Sequence, residues 1–159
     1  GGCGLIGRQL VDLLLSEGAN VFVSDLKDPD DEFIKKVTFK KYDLTNYLNC
    51  VSVCEGMDYV FNLLCIKGSP KSVKERPASH FVPMILFNTN LMEAAYRCSV
   101  EKYLYTSSVG VYEQADVLKE GDVWKTFPSE NDKFAGWAKR MGELQAEAYK
   151  IQYLSLIHI

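Results

Sequence analysis

The chain opens on a glycine-rich turn, GGCGLIG, with glycines at Gly1, Gly4 and Gly7. Apolar residues then recur at helical spacing from Leu5 to Ser16, and Gly18 follows that segment. Glycines at the start of a helix let the backbone turn tightly and let a ligand or a neighbouring strand come close. Because the first turn of a helix has free N–H groups and a positive dipole end, this segment predicts a site for the pyrophosphate of a dinucleotide.

Short apolar segments alternate with helical patterns along the rest of the chain. The predicted strands cover residues 20–25, 37–42, 58–65 and 102–107. The predicted helices cover residues 5–16, 45–55, 78–98 and 133–152. Segment 58–65 (DYVFNLLC) is almost continuously apolar, which is typical of a strand that a parallel sheet buries on both faces. The alternation therefore predicts an α/β fold with a doubly wound parallel sheet.

Asp25 ends the first predicted strand, 21 residues after Gly4. In a dinucleotide site, a carboxylate at this position accepts hydrogen bonds from the ribose hydroxyls of adenosine and repels a 2′-phosphate. The spacing therefore predicts NAD(H) as the cofactor rather than NADP(H). The alternative interpretation is an ordinary turn residue at the end of a strand.

Composition argues against several other classes of protein. The net charge of −3 gives no sign of binding to nucleic acid or to an anionic membrane. No apolar run approaches the roughly 20 residues that a membrane-spanning helix needs. The five cysteines are scattered and distant from the two histidines, so neither a disulfide framework nor a zinc site is predicted. We therefore expect a cytoplasmic protein with free thiols, no metal, and neither nucleic acid nor membrane as a partner.

Both ends of the sequence carry expectations about its extent. Since Gly1 already belongs to the glycine-rich turn, the strand that should precede this turn is expected to be missing. Residues 154–159 (LSLIHI) have no turn or capping pattern and look like the in-frame translation of a sequencing-library adapter. We expect residues 1–153 to form one partial dinucleotide-binding domain and residues 154–159 to be a non-native tail.

The segment NTNLMEAAYRCSVEKYLYTSSVGVY, residues 88–112, resembles the extended short-chain dehydrogenases/reductases that modify nucleotide sugars. That family includes sugar-nucleotide epimerases, dehydratases and GDP-fucose synthases. The glycine turn, the pair Asp43-Leu44 after a strand, and the strand end FNLLC are also similar to its motifs. The resemblance implies a Rossmann-type fold, here without its first strand and its C-terminal substrate lobe, a nucleotide-sugar substrate, and a homodimer formed by two long helices.

The resemblance also implies roles for individual residues. The family's S-x-x-x-Y motif contains a serine that hydrogen-bonds the reacting sugar oxygen, which corresponds to Ser108 with Tyr112 closing the motif. A lysine on the last helix holds the nicotinamide ribose, which corresponds to Lys139. The residues expected to bind the cofactor are Gly1, Gly4, Leu5, Ile6, Gly7, Asp25, Asp43, Leu44, Leu64 and Lys139. Among these, the glycines would hold the pyrophosphate and Asp43 the adenine edge.

The Tyr-x-x-x-Lys pair of this family is incomplete here. One turn apart on a helix, the two side chains share a face, and the lysine charge lowers the tyrosine pKa so that a phenolate can act as a base. In the segment FAGWAKRMGEL the lysine is Lys139, but the position of the tyrosine is Ala135. Nothing else on that face of the helix offers a phenol.

Three explanations of this departure are open. Another acid or base in residues 109–132 could take over, and the candidates there are Tyr112, Glu113, Glu120 and Asp122. A water molecule or the substrate itself could carry the proton together with Ser108 and Lys139. In the third explanation, the protein binds the cofactor but has weak catalysis or none.

The sequence therefore predicts an NAD-dependent epimerase, dehydratase or reductase that transfers a hydride between a nucleotide-linked sugar and nicotinamide. The alternatives are a non-catalytic NAD(H)-binding homologue and a reductase of a non-sugar carbonyl. The basic segment 67–77 is interpreted as a solvent-exposed loop, and Trp124 and Trp137 as packing residues.

Overall fold

The computed structural model describes residues 1–153 and 157–158, in which helices and parallel strands alternate. The strands are β1 (Phe22–Ser24), β2 (Thr38–Lys40), β3 (Tyr59–Asn62), β4 (Lys102–Tyr105) and β5 (Ile157–His158). The helices are α1 (Leu5–Ser16), α2 (Asp31–Ile34), α3 (Tyr47–Cys54), α4 (Pro70–Glu75), α5 (Pro77–Arg97) and α6 (Lys133–Tyr153). Two single turns of 3₁₀ helix, Val109–Val111 and Glu120–Asp122, lie between β4 and α6.

The strands form two parallel sheets with a gap between them. β1 pairs with β2, and β4 lies between β3 and β5. A cavity of about 600 Å³, lined mainly by apolar side chains of β1, β3 and α1, separates the two sheets. The prediction of a parallel α/β sheet that lacks a strand beside the glycine turn is confirmed for residues 1–153 and 157–158. β1, β2, β3 and β4 are three or four residues long, which is shorter than predicted.

Two short helices are absent from the sequence prediction. The segment 67–77 was expected to be a loop, and this is wrong for residues 70–75, which form α4. The Ser69 side chain accepts a hydrogen bond from the Ser72 amide, and Pro70 occupies the first turn. Asp30 caps α2 in the same way through the Phe33 amide. Such helices have fewer turns than a periodic apolar pattern needs to become visible.

Residues 157 and 158 extend the second sheet. Ile157 lies opposite Tyr103 in the parallel register of β4 and β5. The prediction that residues 154–159 are a non-native tail stays a prediction, and residues 154–156 and 159 lie outside the described part of the chain.

Two apolar clusters hold these elements together. The larger one joins α3, α5, β4 and α6, and Met84 and Met92 of α5 are fully buried in it. The smaller one packs α1 and α2 against β1 through Val11, Val23 and Phe33. Burial of each such side chain stabilises the fold by about 1.5–3 kcal/mol. None of the helices in the described residues is both long enough and apolar enough to cross a membrane.

Candidate cofactor and active site

The glycine turn packs directly against the carboxyl end of β3. A side-chain carbon at Gly1 would lie 2.6 Å from the Leu63 carbonyl oxygen, and one at Gly7 would lie 2.5 Å from the carbonyl oxygen of Gly2. Both distances are too short for any residue with a Cβ atom. Gly4 is the N-cap of α1, and no side chain caps the N–H groups of this helix. The first turn of α1 therefore has free donors that an anion can use.

Leu5 and Ile6 form the outer face of that first turn. Their side chains are among the most exposed apolar groups of the described residues. The structure therefore places Gly4, Leu5 and Ile6 at the surface of the glycine turn, while Gly1 is half-buried and Gly7 is buried.

Asp25 joins the glycine turn to the end of β1. One carboxylate oxygen accepts a hydrogen bond from the Cys3 amide at 3.0 Å, and the other accepts one from the Lys27 amide at 3.0 Å. Burial alone would raise the pKa of Asp25, but the backbone hydrogen bonds from the Lys27 and Cys3 amides lower it, and the pKa lies below the ordinary value. The carboxylate is therefore ionised at neutral pH, and each oxygen can accept a further hydrogen bond.

The pair Asp43-Leu44 follows β2. The Asp43 carboxylate accepts hydrogen bonds from the Thr45 amide at 2.9 Å and the Thr45 hydroxyl at 2.7 Å, both at one of its oxygens. Its second oxygen is left for another partner. The Leu44 side chain is buried in the larger apolar cluster. Asp43 is thus exposed to a ligand, while Leu44 presents only its backbone.

Lys139 lies between the carboxyl ends of β3 and β4, although it belongs to α6. Its ammonium group donates to the carbonyl oxygens of Leu64 at 3.2 Å and Thr106 at 2.7 Å. It also lies 4.9 Å from the ring centre of Tyr105. The residue is only 3% exposed, and this burial lowers its pKa. An ammonium group has three N–H donors, so one remains for a ligand at the edge where parallel α/β sheets bind ligands.

Ser108 follows β4 at the same edge. Its hydroxyl oxygen accepts a hydrogen bond from the Gly110 amide at 3.2 Å, which starts the first 3₁₀ turn. The hydroxyl proton remains available, and the residue is exposed. Lys139 donates a hydrogen bond to the Thr106 carbonyl, two residues before Ser108, so both predicted residues lie at the carboxyl end of β4.

Comparisons with known proteins agree with this arrangement. The model of the "NAD dependent epimerase/dehydratase family" matches residues 1–158. The chain belongs to this family. It is 30% identical over 140 residues to GDP-mannose 3,5-epimerase 1 of Oryza sativa subsp. japonica, a match that covers 82% of this chain and 36% of the rice protein. The chain thus spans about a third of the length of this curated relative.

Solved structures of the epimerase/dehydratase type have the same fold. MoeE5 in complex with UDP-glucose and NAD is 27% identical, with a TM-score of 0.80 over 99% of this chain and 50% of MoeE5. The UDP-glucose 4-epimerase of Thermotoga maritima has a TM-score of 0.82 over 98% of this chain and 51% of its own. At 24% identity, the second likeness shows the fold alone. Together they confirm the Rossmann-type fold predicted from the sequence.

Ala135 lies in α6 one turn before Lys139, at the position where the sequence resemblance implies a tyrosine. Ala135 is half-buried and packs against the larger apolar cluster. Its neighbour Gly136 touches the Gly110 carbonyl group, so this turn of α6 lies directly beside the 3₁₀ turn after Ser108. A phenol at position 135 would therefore lie one helical turn from Lys139, in the turn of α6 that packs beside residues 108–111.

The structure does not bring the four candidate replacements to this place. Among the described residues, no hydrogen bond or ion pair links Tyr112, Glu113, Glu120 or Asp122 to Ser108 or Lys139. Asp122 instead pairs with Lys125 at 3.1 Å. Glu113 and Glu120 are exposed, while Tyr112 is half-buried.

Sequence reasoning missed Arg140, which fixes the segment between β4 and α6. This residue is 2% exposed, and its guanidinium group donates to the carbonyl oxygens of Val111 and Thr126. Its charge also lies 5.9 Å from the Trp124 ring and 5.5 Å from the Trp137 ring. Arginine next to the predicted lysine was the available signal, but only the fold shows that its side chain points inward.

Sequence reasoning also missed a group of buried polar residues beneath the site. They are Asn62, Asn88, Tyr103 and Tyr105. Asparagine inside the apolar segment 58–65 was the available signal for the first of them, because a polar residue in a buried strand requires a hydrogen-bond partner.

Proposed function

We propose that the full-length protein is an NAD-dependent enzyme that epimerises, dehydrates or reduces a nucleotide-linked sugar. The position of Lys139 is the main support for this proposal, because its ammonium group binds the Leu64 and Thr106 carbonyl groups at the carboxyl ends of β3 and β4, and Ser108 follows Thr106 by two residues. The chemistry that NAD(H) supplies is hydride exchange at the nicotinamide ring. The rice relative is named for a GDP-linked sugar, and MoeE5 was solved with UDP-glucose and NAD, which supports a nucleotide sugar as the substrate class.

The residues at the glycine turn fit NAD(H). The close approach at Gly1 and Gly7 and the free N–H groups of α1 suit a pyrophosphate. The ionised Asp25 carboxylate would accept hydrogen bonds from the adenosine ribose and would repel the extra phosphate of NADP(H). Asp43 would contact the adenine edge through its second oxygen, and the backbone of Leu44 and Leu64 would border the cofactor.

In this proposal Lys139 holds the nicotinamide ribose with its remaining N–H donor, and Ser108 donates its hydroxyl proton to the reacting sugar oxygen. Of the three explanations for Ala135, we favour proton transfer through water or a substrate hydroxyl together with Ser108 and Lys139. This choice is supported by the absence, among the described residues, of any phenol or carboxylate of segment 109–132 bonded to either residue.

We further propose a homodimer, which the exposed apolar residues of two long helices support, and a cytoplasmic location. Leu86 of α5 and Met141 and Leu144 of α6 are large apolar side chains that face solvent in the single chain. Helices with such faces commonly pair across a two-fold axis. Light scattering on the full-length protein should give twice the monomer mass, and a monomer would contradict this part.

The test of the proposal is transient absorbance of NADH in the full-length protein. The protein is mixed with NAD and, in turn, with UDP-, GDP-, CDP- and dTDP-sugars. We expect an NADH signal with one class of nucleotide sugar and its loss in Ser108→Ala. Absence of the signal with every class, despite tight NAD binding, would contradict the proposal.

The second candidate is a non-catalytic NAD(H)-binding homologue, which Ala135 favours because the usual phenol is missing. In that case NAD binding would depend on Asp25, but no nucleotide sugar would reduce the bound cofactor. Reduction of the cofactor by a non-sugar alcohol would instead indicate a reductase of another carbonyl class.

A further inference from the structure

A closed ring of hydrogen bonds runs through the core beneath Lys139. The Leu64 backbone amide donates to the Asn62 side-chain oxygen at 3.0 Å, and the Asn62 side-chain amide donates to the Asn88 side-chain oxygen at 3.0 Å. The Asn88 side-chain amide donates to the Tyr105 hydroxyl at 3.2 Å, and this hydroxyl donates to the Lys139 backbone carbonyl oxygen at 3.3 Å. The Lys139 ammonium then donates to the Leu64 carbonyl oxygen at 3.2 Å, which closes the ring.

The ring is unusual because its side chains are inside the apolar core. Asn62 is 0% exposed, Tyr105 1% and Asn88 2%. Polar groups in such a place destabilise a protein unless they are paired, and apolar residues of similar size would pack there without that requirement. Packing alone therefore does not account for polar residues at these three positions.

We infer that Asn62, Asn88 and Tyr105 are positioning residues for Lys139. The ring holds this lysine at both ends, at its backbone carbonyl and at its ammonium group. A lysine side chain has four flexible carbons, so such double attachment fixes the point from which the remaining N–H group reaches a ligand. This inference rests on the proposed function, in which that ligand is the nicotinamide ribose.

Because position 135 is alanine and not tyrosine, the ring has a larger part in holding Lys139 in place. In a Tyr-x-x-x-Lys pair, the phenol lies beside the lysine and takes part in the same site. Here the lysine has no such neighbour, and its bonded partners in the described residues are the Leu64 and Thr106 carbonyl groups and the Tyr105 ring. The orientation of the ammonium group therefore depends on the ring.

Tyr103 provides a matched control. It lies two residues before Tyr105 on β4, it is also buried, and its hydroxyl accepts a hydrogen bond from Asn62 at 2.9 Å. The Tyr103 hydroxyl therefore lies outside the ring: in the described residues it is bonded to Asn62 and not to α6. Tyr103→Phe and Tyr105→Phe each delete one buried hydroxyl, but only the second change opens the ring.

The experiment compares the affinities of the full-length protein for NADH and for ADP, which lacks the nicotinamide ribose. We expect Tyr105→Phe to weaken NADH binding about fivefold or more, which corresponds to about 1 kcal/mol, while ADP binding changes less than about twofold. Tyr103→Phe should lower Tm to a similar extent and change neither affinity by more than about twofold. NADH fluorescence and ADP competition measure the two affinities.

Lys139→Met separates the inference from the proposed function. If Lys139→Met weakens NADH binding selectively but Tyr105→Phe does not, or if Tyr105→Phe weakens both ligands equally, only the inference is overturned. If Lys139→Met leaves NADH affinity unchanged, the proposed contact with the nicotinamide ribose is overturned, and the inference with it. Should Tyr105→Phe fail to fold, Asn88→Leu opens the ring at another bond and has the same expected result.

Discussion

Gly136 of α6 lies against the carbonyl oxygen of Gly110, and the space between the two residues is too small for a side-chain carbon. This contact sets the distance between the helix that carries Lys139 and the turn that follows Ser108. The two residues are 26 positions apart in the sequence, and no local pattern links them.

Gly136→Ala should therefore push α6 away from the Ser108 turn. Its added methyl group would collide with backbone and with Pro128, neither of which can rotate away as a flexible side chain can. We expect a loss of about 2 kcal/mol or more in the free energy of unfolding, measured by urea denaturation. Gly121→Ala is the control, since a methyl group there meets nothing within 4 Å. Equal stability of the two variants would contradict this contact.

Restoring the family's tyrosine should accelerate the reaction. Ala135 is one helical turn from Lys139, so a phenol at this position would share a face with the ammonium group. We expect Ala135→Tyr to raise the rate of hydride exchange by about a hundredfold, the usual contribution of a positioned acid or base. Ala135→Phe has the same shape without the hydroxyl and should give no such gain. Equal rates of hydride exchange in the two variants would show that proton transfer does not limit the reaction and would contradict this prediction.

Asp25 should control both the affinity for the cofactor and the choice of cofactor. Asp25→Asn can no longer accept hydrogen bonds from both the Cys3 and Lys27 amides and the ribose, so we expect NAD binding to weaken about tenfold. NADP binding should weaken less or improve, because the negative charge is gone. Calorimetric titration measures both constants. Asp28→Asn, an exposed residue paired with Lys41, should change neither constant.

The buried ammonium group of Lys139 should make stability depend on pH at the alkaline end. Burial lowers its pKa below the ordinary 10.5, so the folded protein releases this proton at a lower pH than the unfolded chain does. The unfolded state then binds more protons, and the free energy of unfolding rises with pH towards 10.5. We expect the stability of the wild type relative to Lys139→Met to increase over that range. A constant or decreasing difference would contradict the burial of this group.

Thiol reactivity should distinguish the cysteines. Burial is the main reason why the pKa values of Cys50 and Cys54 rise to about 12, and both side chains are inaccessible. Cys65 is exposed and directly follows Leu64. Mass spectrometry after brief treatment with a thiol reagent should therefore find Cys65 modified and Cys50 and Cys54 intact. Cys65→Ser should abolish this rapid modification, and rapid modification that persists in the variant would contradict the assignment.

The parts of the site that lie close together in the sequence were predictable from it. The glycine turn, the acidic residue at the end of the next strand, and the lysine in α6 each follow from local spacing or from the family motif. The structure joins the first two through the hydrogen bond between Cys3 and Asp25. These features are predictable because the turn, the cap and the strand end are each formed by residues that are neighbours in the sequence.

The parts that depend on tertiary contacts were not predictable. Asn62 and Asn88 are 26 residues apart, and their hydrogen bond exists only because α5 packs over β3. The motif predicts that Leu44 binds the cofactor, yet its side chain is buried in the larger apolar cluster. The inward direction of Arg140 likewise depends on how α6 packs against the Val111 turn. A residue's neighbours across the core cannot be deduced from its own segment.

The most direct test of the central claim follows the hydride itself. The full-length protein is mixed with NAD and nucleotide sugars that carry deuterium on their ring carbons, the reaction is quenched within the first turnover while the reduced cofactor is present, and the cofactor is analysed by mass spectrometry. The account predicts deuterium in the nicotinamide ring with one class of nucleotide sugar, and much less of it in Ser108→Ala. A cofactor that stays free of deuterium with every class, although it binds tightly and its binding depends on Asp25, would contradict the claim.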